Sequence, residues 1–469
     1  MAPADYERLT ALDASFLAFE DANVHMHVAA VALFDAAPLT DESGKLDYDA
    51  IHDAIGQALT TTPKFRQKLV KIPLFGYSVW VDDEHFNLEY HVRHTALPLP
   101  GDERSLKRLA GRILSQKLDR GKPLWEMWVI EGVEGGRFAL IIKAHHCMVD
   151  GVGGIDIITG MLRFEPDATR PEPAEWTPRP PVPGTRLFLD EMALRTSAPF
   201  DLVRFGRRLV ADPRRTTSDL VDAARGIGEL ARASADRSAE SRLNARVGPF
   251  RRFDWATTLL SEVSEIRRRF GGTINDVALA TVAGALGEYL VGHGESVDNE
   301  SFRIQLPVSV RAADDHGTGN RVAMLIAPLP IAERDPIARL GRVVAITDRV
   351  KHSGQQRGLE ALSQLSDRSF PELHAFFGKL GVRQQPFNIV VTNIPGPRDP
   401  VYLLTAPMLG IHPLVPLLAN QTLGIAFFSY CGKLQWGFHA DWDAMPDLHD
   451  LVEGVGRQFT VLLEAARAG

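Results

Sequence analysis

Residues 139–151, Ala139-Leu-Ile-Ile-Lys-Ala-His145-His146-Cys-Met-Val-Asp150-Gly151, run an apolar segment directly into two histidines and a carboxylate. Residues 139–144 have the length and the Leu/Ile content of a buried strand. His145 and His146 therefore stand near its end, where a scaffold presents side chains to a ligand. Asp150 comes four residues after His146, followed by Gly151. At this chain's composition, with every acid counted as Asp, a His-His-x-x-x-Asp-Gly pattern is expected about 0.005 times by chance. An imidazole that titrates near neutral pH can accept a proton in one step and return it in the next, which is worth roughly 10²–10⁴ in rate. The chemistry is expected here.

The sequence on either side supports that placement. Trp125–Glu131, a Val-Glu-Gly-Gly turn and residues 138–144 read as a hairpin that carries the histidines to its end. Before it, Leu106, Leu109, Ala110, Ile113, Leu114 and Leu118 recur at helical steps from Asp102, with Gly121 just past the end. After Asp150 the run Gly151-Val-Gly-Gly154 opens a helix over 155–162. Its spacing is not a dinucleotide fingerprint, and it reads as room for a substrate to approach the backbone. Gly-x-Ser-x-Gly and Ser-x-x-Lys elbows are absent, which disfavours a covalent serine hydrolase. Cys147, pointing away from its neighbour His146, reads as a small apolar filler rather than a nucleophile. No second ligand group stands at zinc spacing.

Further out, 26–34 reads as a buried strand, with His25 and His27 on one face as structural or surface histidines, and 49–59 as a helix. Seven prolines between Pro166 and Pro183 mark a linker. The expected organisation is a domain over 1–165, a connector over 166–245 and a second domain over 246–469. Residues 204–246 hold ten arginines against six acids, with Leu220, Val221, Ala224, Ile227, Leu230 and Ala231 at helical spacing. Such a segment is either a solvated helix or a surface for an anionic membrane. In the second half, 259–270 is a helix stopped by Gly271-Gly272, and Thr273 with Asp276 is a variant of the capping box, so Asp276 is either a helix cap or a site residue. Residues 303–310 and 322–329 read as strands, 337–350 as an amphipathic helix, 386–397 as a buried strand cut off by prolines, and Leu448 to Leu463 as a closing helix.

Composition bounds the function. In 469 residues, 45% are hydrophobic and the net charge is -7, which suits two or three globular domains and gives no sign of a nucleic-acid partner. Two cysteines, Cys147 and Cys431, are no disulfide framework and point to a reducing, cytoplasmic setting. No secretion signal is legible, and the apolar region 401–430 is too broken by Pro407, Pro413 and Pro416 to span a bilayer as one helix.

The block Lys143–Gly151 resembles the active-site motif of the bacterial wax ester synthase/acyl-CoA:diacylglycerol acyltransferase family. Leu12-Asp-Ala-Ser-Phe-Leu17, Met26-His-Val28, Pro123-Leu-Trp125, Asn275-Asp276, Pro307-Val-Ser-Val-Arg311 with Gly319-Asn320, and Asn388-Ile-Val-Val-Thr392-Asn393-Ile-Pro395-Gly-Pro397 agree with it. The departure is Thr392, where the family often has Ser; the hydroxyl is kept. The resemblance implies an α/β fold of two chloramphenicol acetyltransferase-like domains, with mixed sheets flanked by helices and a tunnel between the domains. It implies transfer of an acyl group from acyl-CoA to diacylglycerol or a long-chain alcohol, with acyl-CoA as co-substrate and no other cofactor or metal. His146 would be the general base, His145 its support, and Asp150 a brace of the loop through Arg311. Thr392 or Asn393 would face the oxyanion, while Gly151, Asn275 and Asp276 would line the substrate path. Insoluble substrates imply work at a peripheral membrane or lipid-droplet surface. Two other readings stay open: an acyltransferase using a carrier-bound or polyketide/peptide substrate, and a non-catalytic lipid-binding protein.

Overall fold

The computed structural model describes residues 5–148, 160–169, 176–195, 238–298, 300–309, 322–351 and 386–468. In chain order the first half contains β1 (Glu7–Arg8), α1 (Ala11–Phe19), β2 (His27–Asp35), α2 (Tyr48–Ala58), β3 (Gln67–Lys71), β4 (Ser78–Asp82), α3 (Leu88–His91), β5 (Val92–Ala96), α4 (Glu103–Ser115), β6 (Trp125–Val133), β7 (Arg137–His145) and β8 (Leu162–Arg163). The second contains β9 (Arg251–Leu259), α5 (Leu260–Phe270), α6 (Ile274–Gly292), β10 (Arg303–Ser309), β11 (Val322–Pro328), α7 (Pro336–Lys351), β12 (Ile389–Pro395), β13 (Tyr402–Leu403), β14 (Ala406–Leu414), β15 (Leu423–Tyr430), β16 (Lys433–Asp441) and α8 (Leu448–Ala468).

Two larger mixed sheets organise these elements. One runs β5-β6-β7-β2-β14-β13-β8, the other β11-β10-β12-β15-β16-β9, and a small sheet β1-β4-β3 lies beside the first. The expected hairpin is β6–β7, and its turn uses Gly135 and Gly136 at positive φ (82° and 68°), where a side chain would be strained. β7 has almost no exposed residue because β6 and β2 pair with its two edges while helices and loops cover its faces. The apolar run of 139–144 follows from that position.

The two halves are interlocked by strand exchange. β14, from the second half of the chain, pairs with β2 of the first from Met408↔Phe34 to Leu414↔Ala29. The chain then returns to β15, and Gly437 of β16 lies so close to the Pro413 carbonyl that a Cβ would collide with it. The apolar region 401–430 is therefore built mainly of the strands β13, β14 and β15. Leu162 belongs to the short strand β8 rather than to the end of a helix. Of the expected helix over 155–162, Gly160 and Met161 are helical, while residues 155–159 and the expected helix over 220–231 fall outside the described residues.

α6 is the core helix of the second half. Thr273 and Asp276 exchange bonds at its start in a complete capping box. It is apolar and long enough to cross a membrane by length and composition, yet 78% of that window is buried, packed mainly against α7 and α8. Burial on every side explains why it lacks an amphipathic period. Gly287 is required where the Ile331 carbonyl presses on the helix.

Three buried histidines make the fold sensitive to acid. His91 stacks on Trp125 with centroids 4.7 Å apart, His412 stacks on Trp255 at 4.8 Å, and His439 has Nδ1 2.7 Å from the Val415 carbonyl. Burial pulls them down to about 4, 3 and 3, respectively. In the unfolded chain each would protonate near the usual 6.5. Between those limits the unfolded state binds more protons, so stability is fully present above about pH 6.5 and is lost as pH falls, each histidine contributing about 1.4 kcal/mol per pH unit. The urea midpoint should drop from pH 7 to pH 5, with a shallower slope in His412→Gln; a midpoint independent of pH over that range would contradict the assignment.

Candidate active site

The two histidines leave β7 in different environments. His145 is 1% exposed and pairs across the ladder with His27 of β2. Its backbone N–H donates to the Leu124 carbonyl at 2.9 Å, and that of His146 donates to the Met26 carbonyl at 2.7 Å. The Pro123-Leu-Trp125 and Met26-His-Val28 blocks therefore hold the histidine backbone from its two sides. The Leu12–Leu17 block supplies α1, whose Phe16 stacks on the His146 ring at 4.0 Å and 28°. Thr10 caps α1: its hydroxyl oxygen accepts the Asp13 N–H at 3.1 Å and its hydroxyl donates to Asp13 Oδ2 at 2.8 Å.

His146 begins a one-turn 3-10 helix over His146–Met148 and is partly exposed. Its Nδ1 is buried without a hydrogen-bond partner among the described residues. Burial lowers its pKa to about 4, and His145 adds to the shift, so the ring is neutral at pH 7. Nε2 is then the nitrogen to assign to proton transfer. Cys147 is fully buried, and burial pushes its thiol well above the ordinary range. No thiolate forms near neutrality, which agrees with its reading as a filler.

Lys143 is buried beneath this site. Its Nζ donates to the carbonyls of Ile113 and Gln116 at 2.9 and 2.8 Å and pairs with Glu126 at 2.5 Å. A cation at the C-terminal carbonyls of α4 satisfies orphan acceptors and favours the helix dipole. This clamp ties the end of β7 to α4.

Glu20, the C-cap of α1, was not legible as a site residue. Its side chain is 1% exposed. Oε1 accepts the Met26 N–H at 3.1 Å and lies 3.4 Å from His145 Nε2; Oε2 accepts from Arg120 Nη2 and Nε at 2.7 and 3.1 Å and has Lys117 Nζ at 3.4 Å. Burial pushes this carboxyl up, but the combined pull of His145, Arg120 and His27 outweighs it and holds the group well below the usual range. A signal was available: a carboxylate at a helix C-terminus opposes the macrodipole. His25 and His27 are buried rather than exposed, and His27 Nε2 accepts the Leu118 N–H at 3.5 Å. Among the described residues no cluster of three or more His, Cys, Asp or Glu could hold a metal ion.

The remaining site candidates divide by position. Asp150, Gly151 and Arg311 lie outside the described residues. Asp276 is 1% exposed, and its carboxylate is occupied: Oδ2 by the Thr273 N–H and hydroxyl at 2.8 and 2.7 Å, Oδ1 by the Thr347 hydroxyl at 2.7 Å. The cap reading accounts for it, while Asn275 beside it is partly exposed. On β12, alternation puts Thr392 on the same face as Ile394, which packs against the core of the first half. Asn393 is on the other face and exposed. Asn388, from the same block, is buried and structural: it accepts the Arg303 N–H at 2.8 Å and donates to Ala239 and Asn244 at 2.9 and 2.6 Å. A cavity of about 840 Å³ between α4, β9 and the start of α8 is lined by Arg104, Arg108, Arg252 and Trp442, and by none of these site residues.

With this geometry in place, comparison with known proteins gives a consistent answer. Residues 9–278 match the wax ester synthase/diacylglycerol acyltransferase catalytic domain, and residues 318–462 match the C-terminal domain of the same group. A probable diacylglycerol O-acyltransferase of Mycobacterium tuberculosis is 32% identical over 457 residues, covering 95% of this chain and 94% of that protein. The O-acyltransferase WSD of Acinetobacter baylyi is 31% identical, covering 94% and 93%. Among solved structures, a wax ester synthase/diacylglycerol acyltransferase from Marinobacter aquaeolei superposes with a TM-score of 0.69 at 25% identity, covering 98% of this chain and 99% of that one. The mixed sheets flanked by helices are the architecture that the resemblance implied. The chain belongs to the wax ester synthase/diacylglycerol acyltransferase family and is an acyl-CoA-dependent O-acyltransferase.

Proposed function

We propose that the protein transfers a long-chain acyl group from acyl-CoA to the hydroxyl of diacylglycerol, of a long-chain alcohol, or of both, with His146 as general base. The observation that carries this reading is the convergence of α1, the start of β2 and the Pro123-Leu-Trp125 block on one neutral, partly exposed imidazole. The acceptor alcohol is too weak an acid to ionise first, so Nε2 of His146 removes its proton as the oxygen attacks the thioester carbonyl. When the tetrahedral intermediate collapses, the C–S bond breaks and the imidazolium returns the proton to sulfur. CoA leaves as its thiol and the ester remains. The developing oxyanion needs a donor aimed at it. Thr392 is our choice over Asn393, because its face of β12 is the one that packs toward the first half. Asn275 and Gly151 are the proposed substrate contacts along a tunnel between the halves, and Asp150 is the proposed brace of the loop through Arg311.

Purified protein with labelled long-chain acyl-CoA and a panel of alcohols, monoacylglycerols and diacylglycerols tests the substrate class. In that assay His146→Ala should lower kcat by roughly 10²–10⁴ with folding intact, and His145→Ala should retain more. Equal, mild losses in both would remove His146 as the base. The pH–rate profile tests the same assignment from another side. A base held at about 4 is already unprotonated at neutrality, so kcat/KM should be level from pH 7 to about 5 and fall as pH approaches 4. An acid limb centred near 6.5 would mean that the working imidazole is not desolvated.

Products of this kind are nearly insoluble, so we place the protein in the cytoplasm, in reversible contact with a membrane or lipid droplet. The net charge of residues 204–246, +4 in a chain of -7, supports this, and each basic residue near an anionic surface contributes about 1 kcal/mol. Sedimentation with anionic liposomes should occur at low ionic strength, fall at high salt, and weaken in the Arg207→Glu/Arg208→Glu double variant. Unchanged pelleting of that variant would move the lipid contact elsewhere.

A further inference from the structure

Glu20 stands where three things meet: the end of α1, the start of β2, and the loop after α4 that carries Lys117 and Arg120. Burying a carboxylate is costly unless it is paired and hydrogen-bonded. Its two oxygens divide the task. Oε2 faces the cations Arg120 and Lys117, which balance the charge. Oε1 faces inward to the Met26 N–H and to His145 Nε2.

The inward oxygen is the informative one. The Cys147 N–H donates to Nδ1 of His145 at 3.1 Å, so Nδ1 carries no proton. A neutral His145 therefore bears its proton on Nε2, the nitrogen facing Glu20. Met26, whose N–H is held by the same oxygen, receives the His146 N–H on its carbonyl. One oxygen thus faces the ring of His145 at 3.4 Å and reaches the backbone of His146 through a single peptide unit.

We propose that Glu20 is a positioning residue of the transferase reaction: its buried Oε1 faces the Nε2–H edge that the Cys147 contact imposes on His145 and orients that ring, and through Met26 it holds the backbone from which His146 is presented. The proposal rests on His146 acting as the base, and it deepens that reading by naming what holds the base in place. Glu20 touches neither substrate. Its loss should therefore appear in turnover and not in substrate binding.

Two variants separate orientation from charge. Glu20→Gln keeps an oxygen for Met26 and His145 while losing the charge that Arg120 and Lys117 balance; Glu20→Ala removes both. We expect Glu20→Ala to lower kcat by about 10–100-fold, the range found when outer-shell partners of functional histidines are removed. KM for acyl-CoA and for the acceptor should stay within about twofold, a uniform-binding loss being excluded in that case. Glu20→Gln should recover most of that kcat even where its melting temperature is lower. In full-length protein labelled with ¹⁵N-histidine, the His145 signals, assigned by their absence in His145→Gln, should report the Nε2–H tautomer in all three proteins, because the Cys147 N–H holds Nδ1 in each, with the Nε2–H resonance of Glu20→Ala displaced from the position it keeps in the parent and in Glu20→Gln. That readout does not depend on activity, so an inactive parent or a fully active His146→Ala would count against the transferase reading and not against the Glu20–His145 link. An Ala variant that melts lower but keeps parental kcat, or equal losses in both variants with the His145 Nε2–H resonance unchanged, would overturn the proposal.

Discussion

The ladder of β7 is the constraint on which the rest of this structure depends. Its residues pair with β2 from Asp35↔Arg137 to His27↔His145 and with β6 from Val133↔Arg137 to Trp125↔Ala144. Slipping either register by one residue would send His145 to the opposite face of the sheet and bring Lys143 off its carbonyl pair at the end of α4. Where the ladder ends, the next two backbone donors go to Leu124 and Met26. The strand therefore hands its hydrogen bonding to neighbouring motif residues at the point where the reactive side chains begin. The Leu12–Leu17, Met26–Val28 and Pro123–Trp125 blocks are explained by this: each supplies a contact to His145 or His146.

Much of this was legible because the signals were local. Residues 139–144 carry the apolar run of a central strand, Leu106 to Leu114 carry a helical period behind the Asp102 cap, and Thr273 with Asp276 announces a helix start. What escaped depends on distance in the chain. Nothing within residues 401–414 says that β14 pairs with β2, nearly 400 residues earlier, rather than with β15, its neighbour in sequence. β9 was obscured by Arg251 and Asp254, both buried, because a buried charge is legible only through its partners: the carbonyls of Gly248 and Phe250 for Arg251, Lys107 and His449 for Asp254. Glu20 escaped for the same reason, its partners lying 100 or more residues away at Arg120 and His145.

The electrostatics of the site place a demand on the reaction. An imidazole lowered from 6.5 to about 4 resists protonation by about 3 kcal/mol relative to water. Glu20 does not relieve that cost for His146, since its charge is balanced by Arg120 and Lys117 and its inward oxygen faces His145. The compensation has to come from the substrate. With His146 as the proposed base, the imidazolium would form beside a developing oxyanion as the acceptor oxygen attacks, and at low dielectric two opposite charges created together attract far more strongly than in water. Proton transfer and bond formation are then favourable only in concert, which suits a reaction whose acyl donor would otherwise be open to hydrolysis. The same burial that makes His146 a weak base in isolation would, in the proposed reaction, tie its protonation to the presence of both substrates.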